Sequence, residues 1–161
     1  MQNQSAVAEN LSAWIHLHVA AEIAVRNMNY FEIFDLPIAY NVDTDLLTKN
    51  YFSLQRGSDN RFDSSLLNKV YSILKNDIKR AEYFLSLKNV STDQMSTELA
   101  IQMFEMRENY ESLKKKEEKV SFQNQIKNKI KVLISLLKEC ENDLDKFSEI
   151  FSELKFLNSF L

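Results

Sequence analysis

Few residues of this sequence stand where they could do covalent chemistry. His16 and His18 are its only histidines. Two apart, they fall on different faces of a helix, and no third histidine completes a metal site. Cys140 is the single cysteine, which excludes a disulfide framework and a multi-cysteine metal centre within one chain. Nothing resembles a nucleophile beside a base, a phosphate-cradling loop or a tuned pair of carboxylates. The chain is expected not to be an enzyme and to need no metal or cofactor.

The residues that stand out are suited to binding instead. At about 100° per residue, Leu99, Met103, Met106, Tyr110 and Leu113 share one stripe of a helix, the natural core seam. Ile101 and Phe104 fall on the opposite side, with Glu105 and Glu108 beside them. A large apolar pair flanked by carboxylates and facing away from the core is a candidate partner site; scattered surface hydrophobics are the alternative. In the last helical segment Leu144, Phe147, Phe151, Leu154 and Leu157 line the core face, whereas Phe156 points nearly the other way. Phe156 joins the same patch if the two helices are neighbours.

These side chains need long helices to position them, and the composition supplies little else. One glycine and one proline in 161 residues leave almost nothing for tight hairpins or barrels, so an all-α fold is expected. Hydrophobic residues make up 45% and charged residues 27%, an ordinary globular composition. The net charge of −3 argues against a nucleic-acid partner. No apolar run is long enough for a bilayer. The run from Leu11 to Val25 is interrupted by His16, His18 and Glu22 and lacks the basic lead-in of a signal sequence. No membrane association is expected, and a cytoplasmic location is.

Along the chain, the Ala-rich residues 1–27 differ in composition from the remainder. Tyr30 to Phe34 reads as a short helix closed by Asp35-Leu36-Pro37. Asp43 or Thr44 caps a second helix, with Leu47, Tyr51 and Leu54 on one side and its end near Arg56, where Gly57 fits the usual helix stop. A longer helix starts at Ser64 or Ser65 and carries Leu67, Val70, Tyr71, Leu74, Ile78, Ala81 and Leu85 at helical period. The polar run Asn89 to Gln94 marks a domain boundary. Three amphipathic segments follow, roughly Thr97–Lys119, Phe122–Cys140 and Leu144–Leu161, and their short links favour an antiparallel three-helix bundle. Phe122, Ile126, Ile130, Leu133 and Leu137 make a stripe that Cys140 continues as a small buried residue. The lysine-rich run Lys114 to Lys119 reads as a solvated helix end.

The run Met28-Asn29-Tyr30-Phe31-Glu32-Ile33-Phe34-Asp35-Leu36-Pro37 resembles the start of HscB-type proteins, the J-type co-chaperones of iron–sulfur cluster assembly. The likeness continues through Val42 to Leu47 and Phe52-Ser53-Leu54-Gln55-Arg56. It resumes at Arg80-Ala81-Glu82-Tyr83-Phe84-Leu85-Ser86-Leu87, then at Phe104-Glu105-Met106-Arg107-Glu108 and Leu154-Lys155-Phe156-Leu157. It implies a short helical J-domain at 28–90 and a scaffold-binding three-helix bundle at 95–161. Residues 1–27 have no counterpart in it, and the last helix is expected to be clipped. The implied partners are an IscU-type scaffold and an HscA/DnaK-type heat-shock ATPase, whose ATP hydrolysis J-proteins stimulate. The implied scaffold contacts are Ile101, Phe104, Glu105, Glu108 and Phe156. Lys49, Arg56 and Asp59 are the implied chaperone contacts.

The resemblance also identifies a departure. The family carries a His-Pro-Asp tripeptide between the flanks that Leu54-Gln55-Arg56 and Arg61-Phe62 match. Here the interior is Gly57-Ser58-Asp59-Asn60, in which Asp59 alone can preserve the acidic member. With Pro37 the only proline, no such tripeptide exists anywhere in the chain. A member that binds scaffold without stimulating an ATPase, and a plain helical adaptor, are the competing expectations.

Overall fold

The computed structural model describes residues 28–57, 62–91 and 96–161. Among them are seven helices and no strand: α1 (Tyr30–Ile33), α2 (Thr44–Arg56), α3 (Ser64–Lys75), α4 (Asp77–Leu87), α5 (Thr97–Ser112), α6 (Lys116–Glu139) and α7 (Leu144–Asn158). The all-α expectation holds. The described chain divides into two compact units, one of residues 28–37, 43–57 and 62–72, the other of 38–42, 73–91 and 96–161.

In the first unit, each helix start carries its own cap. The Asn29 side chain accepts from the Phe31 and Glu32 amides, and the Glu32 carboxylate accepts from the Asn29 amide at 2.9 Å, a complete capping box. Asp43 does the same work for α2, accepting from Asp45 and Leu46. Phe31, Ile33, Phe34, Leu36, Leu47, Leu67 and Val70 are buried. Asn50 ties α2 to the end of α1 by donating to the Phe34 carbonyl at 2.7 Å.

The helix stops follow a different rule from the one glycine suggests. Gly57 has φ −68° and ψ 148°, an extended conformation open to any residue. The left-handed positions belong to Asp35 (φ 51°) and Asn89 (φ 55°). After each, the chain closes the Schellman pattern: Leu36 donates to the Phe31 carbonyl and Val90 to the Leu85 carbonyl, satisfying carbonyls the helix leaves free.

The long helix expected from Ser64 onward is two helices. Asn76 adopts an extended conformation (ψ 121°) and its side chain accepts from the Ile78 and Lys79 amides. It is thus the N-cap of α4. The apolar period runs unbroken across this joint, so periodicity alone does not detect it.

In the second unit, α6 and α7 form an antiparallel pair, and α4 lies against α7. Their shared core contains Phe84, Leu85, Ile126, Ile130, Leu133, Leu137, Phe147, Phe151, Leu154 and Leu157. Cys140 closes the α6 stripe, as its spacing indicates. The lysine-rich run is not the end of α5. That helix stops at Ser112, and α6 starts at Lys116, with Glu117 and Glu118 in its first turn where the helix dipole favours acids.

Candidate functional site

The outward face of α5 is the first candidate. Leu99 and Met103 are buried, and Met106 and Tyr110 are half-buried, so the seam occupies one side of the helix. Ile101 and Phe104 lie on the other, 54% and 65% exposed. Glu105 and Glu108 beside them are exposed too. Positions 101, 104, 105 and 108 follow the i, i+3, i+4, i+7 rule of one helix face.

The structure brings Phe156 to α5 through an intermediary. Arg107 lies with its guanidinium carbon 5.5 Å from the Phe156 ring centre and 5.1 Å from that of Phe160. It also donates to the Ser159 hydroxyl at 3.1 Å. Phe160 meets Phe156 edge-on at 5.0 Å and Tyr110 at 5.2 Å, and Tyr110 meets Phe122 at 5.2 Å. The ends of α5, α6 and α7 are therefore joined by an aromatic cluster, on which Arg107 lies as a cation over two rings. Phe156 is half-buried in it, not freely projecting. The sequence reading missed Arg107 and Phe160. The signal was the position of Arg107 itself, one residue past the seam at Met106 and three past Phe104.

The second candidate is the face of α2 in the first unit. Lys49 and Arg56 are exposed there. They line one open cavity with Phe52, Ser53 and Gly57. Arg56 lies over the Phe52 ring at 5.8 Å. Phe52 is 49% exposed and was not picked out by sequence, although it lies three residues from Lys49 and four from Arg56. Asp59 lies outside the described residues, as do His16 and His18.

No group of three or more His, Cys, Asp or Glu side chains that could hold a metal ion occurs among the described residues. Burial pushes the Cys140 thiol above its ordinary range, the environment of an unreactive cysteine. No helix among the described residues is long and apolar enough to cross a membrane.

A charged residue lies at the heart of the second unit. Arg80 is 2% exposed. It donates from Nε to the Tyr40 carbonyl at 2.8 Å, from one terminal nitrogen to the Leu74 carbonyl at 2.6 Å, and from the other to Asp77. The Glu141 carboxylate accepts from the Tyr40 and Asn41 amides, both at 3.0 Å. Residues 38–42 are thereby held from both sides.

Comparison with known proteins places this architecture. No family model matches the chain. The co-chaperone protein HscB homolog of Shewanella halifaxensis is 32% identical over 160 residues, covering 81% of this chain and 91% of that protein. The structure of chaperone HscB from Vibrio cholerae superposes with a TM-score of 0.64 at 25% identity, over 82% of this chain and 92% of that one. The human co-chaperone protein HscB shares the fold, with a TM-score of 0.68 at 20% identity, over 83% of this chain and 78% of its own.

Proposed function

Since the chain belongs to the HscB family of co-chaperones, we propose that it serves iron–sulfur protein maturation by holding an IscU-type scaffold and presenting it to an HscA/DnaK-type heat-shock ATPase. The scaffold docks on Ile101, Phe104, Glu105, Glu108 and Phe156, in the part of the chain from 95 to 161. The ATPase docks through Lys49, Arg56 and Asp59, in the J-type part from 28 to 90. The protein acts in the bacterial cytoplasm and catalyses no reaction of its own.

One observation carries the scaffold half: a large apolar pair stands exposed between carboxylates on the side of α5 opposite its buried seam. Burying Phe104 and neighbouring apolar surface supplies affinity, and the two glutamates select a partner surface with cations around an apolar centre. Titration of the full chain with purified scaffold tests this. Micromolar binding that Phe104→Ala weakens supports it, and no binding at that concentration leaves the plain helical adaptor.

A second reading is favoured by the sequence itself. Without any His-Pro-Asp tripeptide, the chain binds the scaffold but does not accelerate the ATPase. A single-turnover ATPase assay with the cognate chaperone separates the two: an unchanged basal rate alongside intact scaffold binding selects this second reading.

A further inference from the structure

We infer that Arg107 is a positioning residue of the docking surface: its guanidinium fixes the Phe156 ring for a partner to close on, and acts through that ring without touching the partner. This deepens the scaffold reading and rests on it for the identity of the partner, not for the fixing of the ring.

Arg107 leaves α5 and spends its side chain on α7 and the residues just past it. Its guanidinium lies over both the Phe156 and Phe160 rings and donates to the Ser159 hydroxyl. Glu108 and Glu111 stand exposed on its own helix, yet no ion pair to Arg107 forms among the described residues. The rings, and not a carboxylate, therefore set where the cation lies. The base beneath is firm. Phe160 is buried, meets Phe122 at 5.5 Å, and its carbonyl accepts from the Gln123 side chain at 2.8 Å. Phe156 thus has the edge-on Phe160 ring on one side and the guanidinium over it. A half-buried ring left to change rotamer would have to be ordered when a partner binds, and a ring already held avoids that cost. The planar guanidinium can cover a ring and donate sideways at once, which an ammonium cannot. In sequence Arg107 stands between Phe104 and Glu108, so it joins Phe156 to the outward face of α5. Direct pairing with a carboxylate of the partner is the competing role for an exposed arginine, and it differs in one respect: it does not need Phe156.

The test is a double-mutant cycle on the full chain, titrated with purified scaffold. Arg107→Met should weaken binding about fivefold to tenfold when Phe156 is present, and by less than about twofold in the Phe156→Ala background. Arg107→Lys keeps the charge but not the planar fork, so it should recover only part of the loss; it repeats the cycle if Arg107→Met does not fold. An equal loss in both backgrounds overturns the proposal, and full recovery by Arg107→Lys does so as well, since a bare charge would then suffice. A second measurement needs no partner. With 4-fluorophenylalanine in place of Phe156, the fluorine resonance should move toward that of the free amino acid on Arg107→Met, and an unmoved resonance overturns the proposal. The two readings fail separately. If the resonance moves but the scaffold does not bind, only the scaffold assignment falls; if the scaffold binds and the losses do not depend on Phe156, only the positioning role falls.

Discussion

Arg80 reaches back across the chain to Tyr40 and meets it twice: its Nε donates to the Tyr40 carbonyl at 2.8 Å, and its guanidinium lies 5.0 Å from the centre of the Tyr40 ring. The same guanidinium closes the end of α3 through the Leu74 carbonyl and pairs with Asp77 in the first turn of α4. The α3–α4 joint and residues 38–42 thus depend on one buried cation with its donors satisfied, the condition under which a buried charge is tolerated.

Arg80→Ala leaves two carbonyls without their donor and a void beside the Tyr40 ring, so the expected cost is about 3 kcal/mol. Arg80→Lys keeps the charge but cannot reach three acceptors in different directions, and recovers only part of that loss. Urea unfolding of the two variants measures both. Equal stability of the alanine variant and the wild type would refute the account.

Tyr40 itself carries a liability. Among the described residues its buried hydroxyl has no hydrogen-bond partner, so Tyr40→Phe should stabilise the fold by about 1 kcal/mol. Burial, with the Asp77 carboxylate adding to it, raises the phenol above its ordinary range. The folded state therefore keeps this phenol neutral after the unfolded chain has begun to ionise near about pH 10. Its contribution is intact below that pH and is lost as the pH rises beyond it. The advantage of Tyr40→Phe over the wild type should widen from about pH 10 upward, which denaturant midpoints at a series of alkaline pH values will register.

Which parts of this fold were legible in the sequence follows from what periodicity can sense. It senses burial, so the α6 stripe from Phe122 to Cys140 and the opposed faces of α5 could be read directly. It does not sense a cap, because Leu74, Ile78 and Ala81 keep helical spacing straight through the turn at Asn76. Nor does it sense a satisfied buried charge such as Arg80, whose burial rests on the carbonyls of Tyr40 and Leu74 around it. Phe156 was legible as off the core, but not as half-buried, since its neighbours Arg107 and Phe160 come from another helix and from beyond the end of its own.

The joint at Asn76 can be tested directly. Asn76→Ala removes the side chain that accepts from the Ile78 and Lys79 amides and should cost about 1 kcal/mol, the usual worth of an N-cap. A thermal melt reads the loss. No change in melting temperature would mean that the neighbouring Arg80 contacts alone define the break.

Gly57 should prove replaceable for the opposite reason. Its φ of −68° is open to alanine, and its amide bond to the Ser53 carbonyl at 3.0 Å survives the change. Gly57→Ala is expected to stabilise by about 0.5 kcal/mol by narrowing the unfolded ensemble. A loss of stability would show that the loop after α2 needs conformations the described backbone does not use.

The proposed scaffold face and the core seam of α5 can be separated by neighbouring residues. Phe104 is 65% exposed and Met103 only 8%, though they are adjacent in sequence. Phe104→Ala should leave the melting temperature within about 2 °C of the wild type and weaken scaffold binding by about 1–3 kcal/mol. Met103→Ala should do the reverse, destabilising the fold by about 2–3 kcal/mol through the cavity it leaves while a folded remainder still binds. Phe156→Ala should fall between them. Its ring is half-buried against Arg107 and Phe160, so it should lower both stability and affinity. Calorimetric titration with the scaffold, paired with thermal melts of the same three variants, distinguishes the patterns. If Phe104→Ala lost stability but not affinity, the outward face of α5 would be part of the packing and not a docking surface.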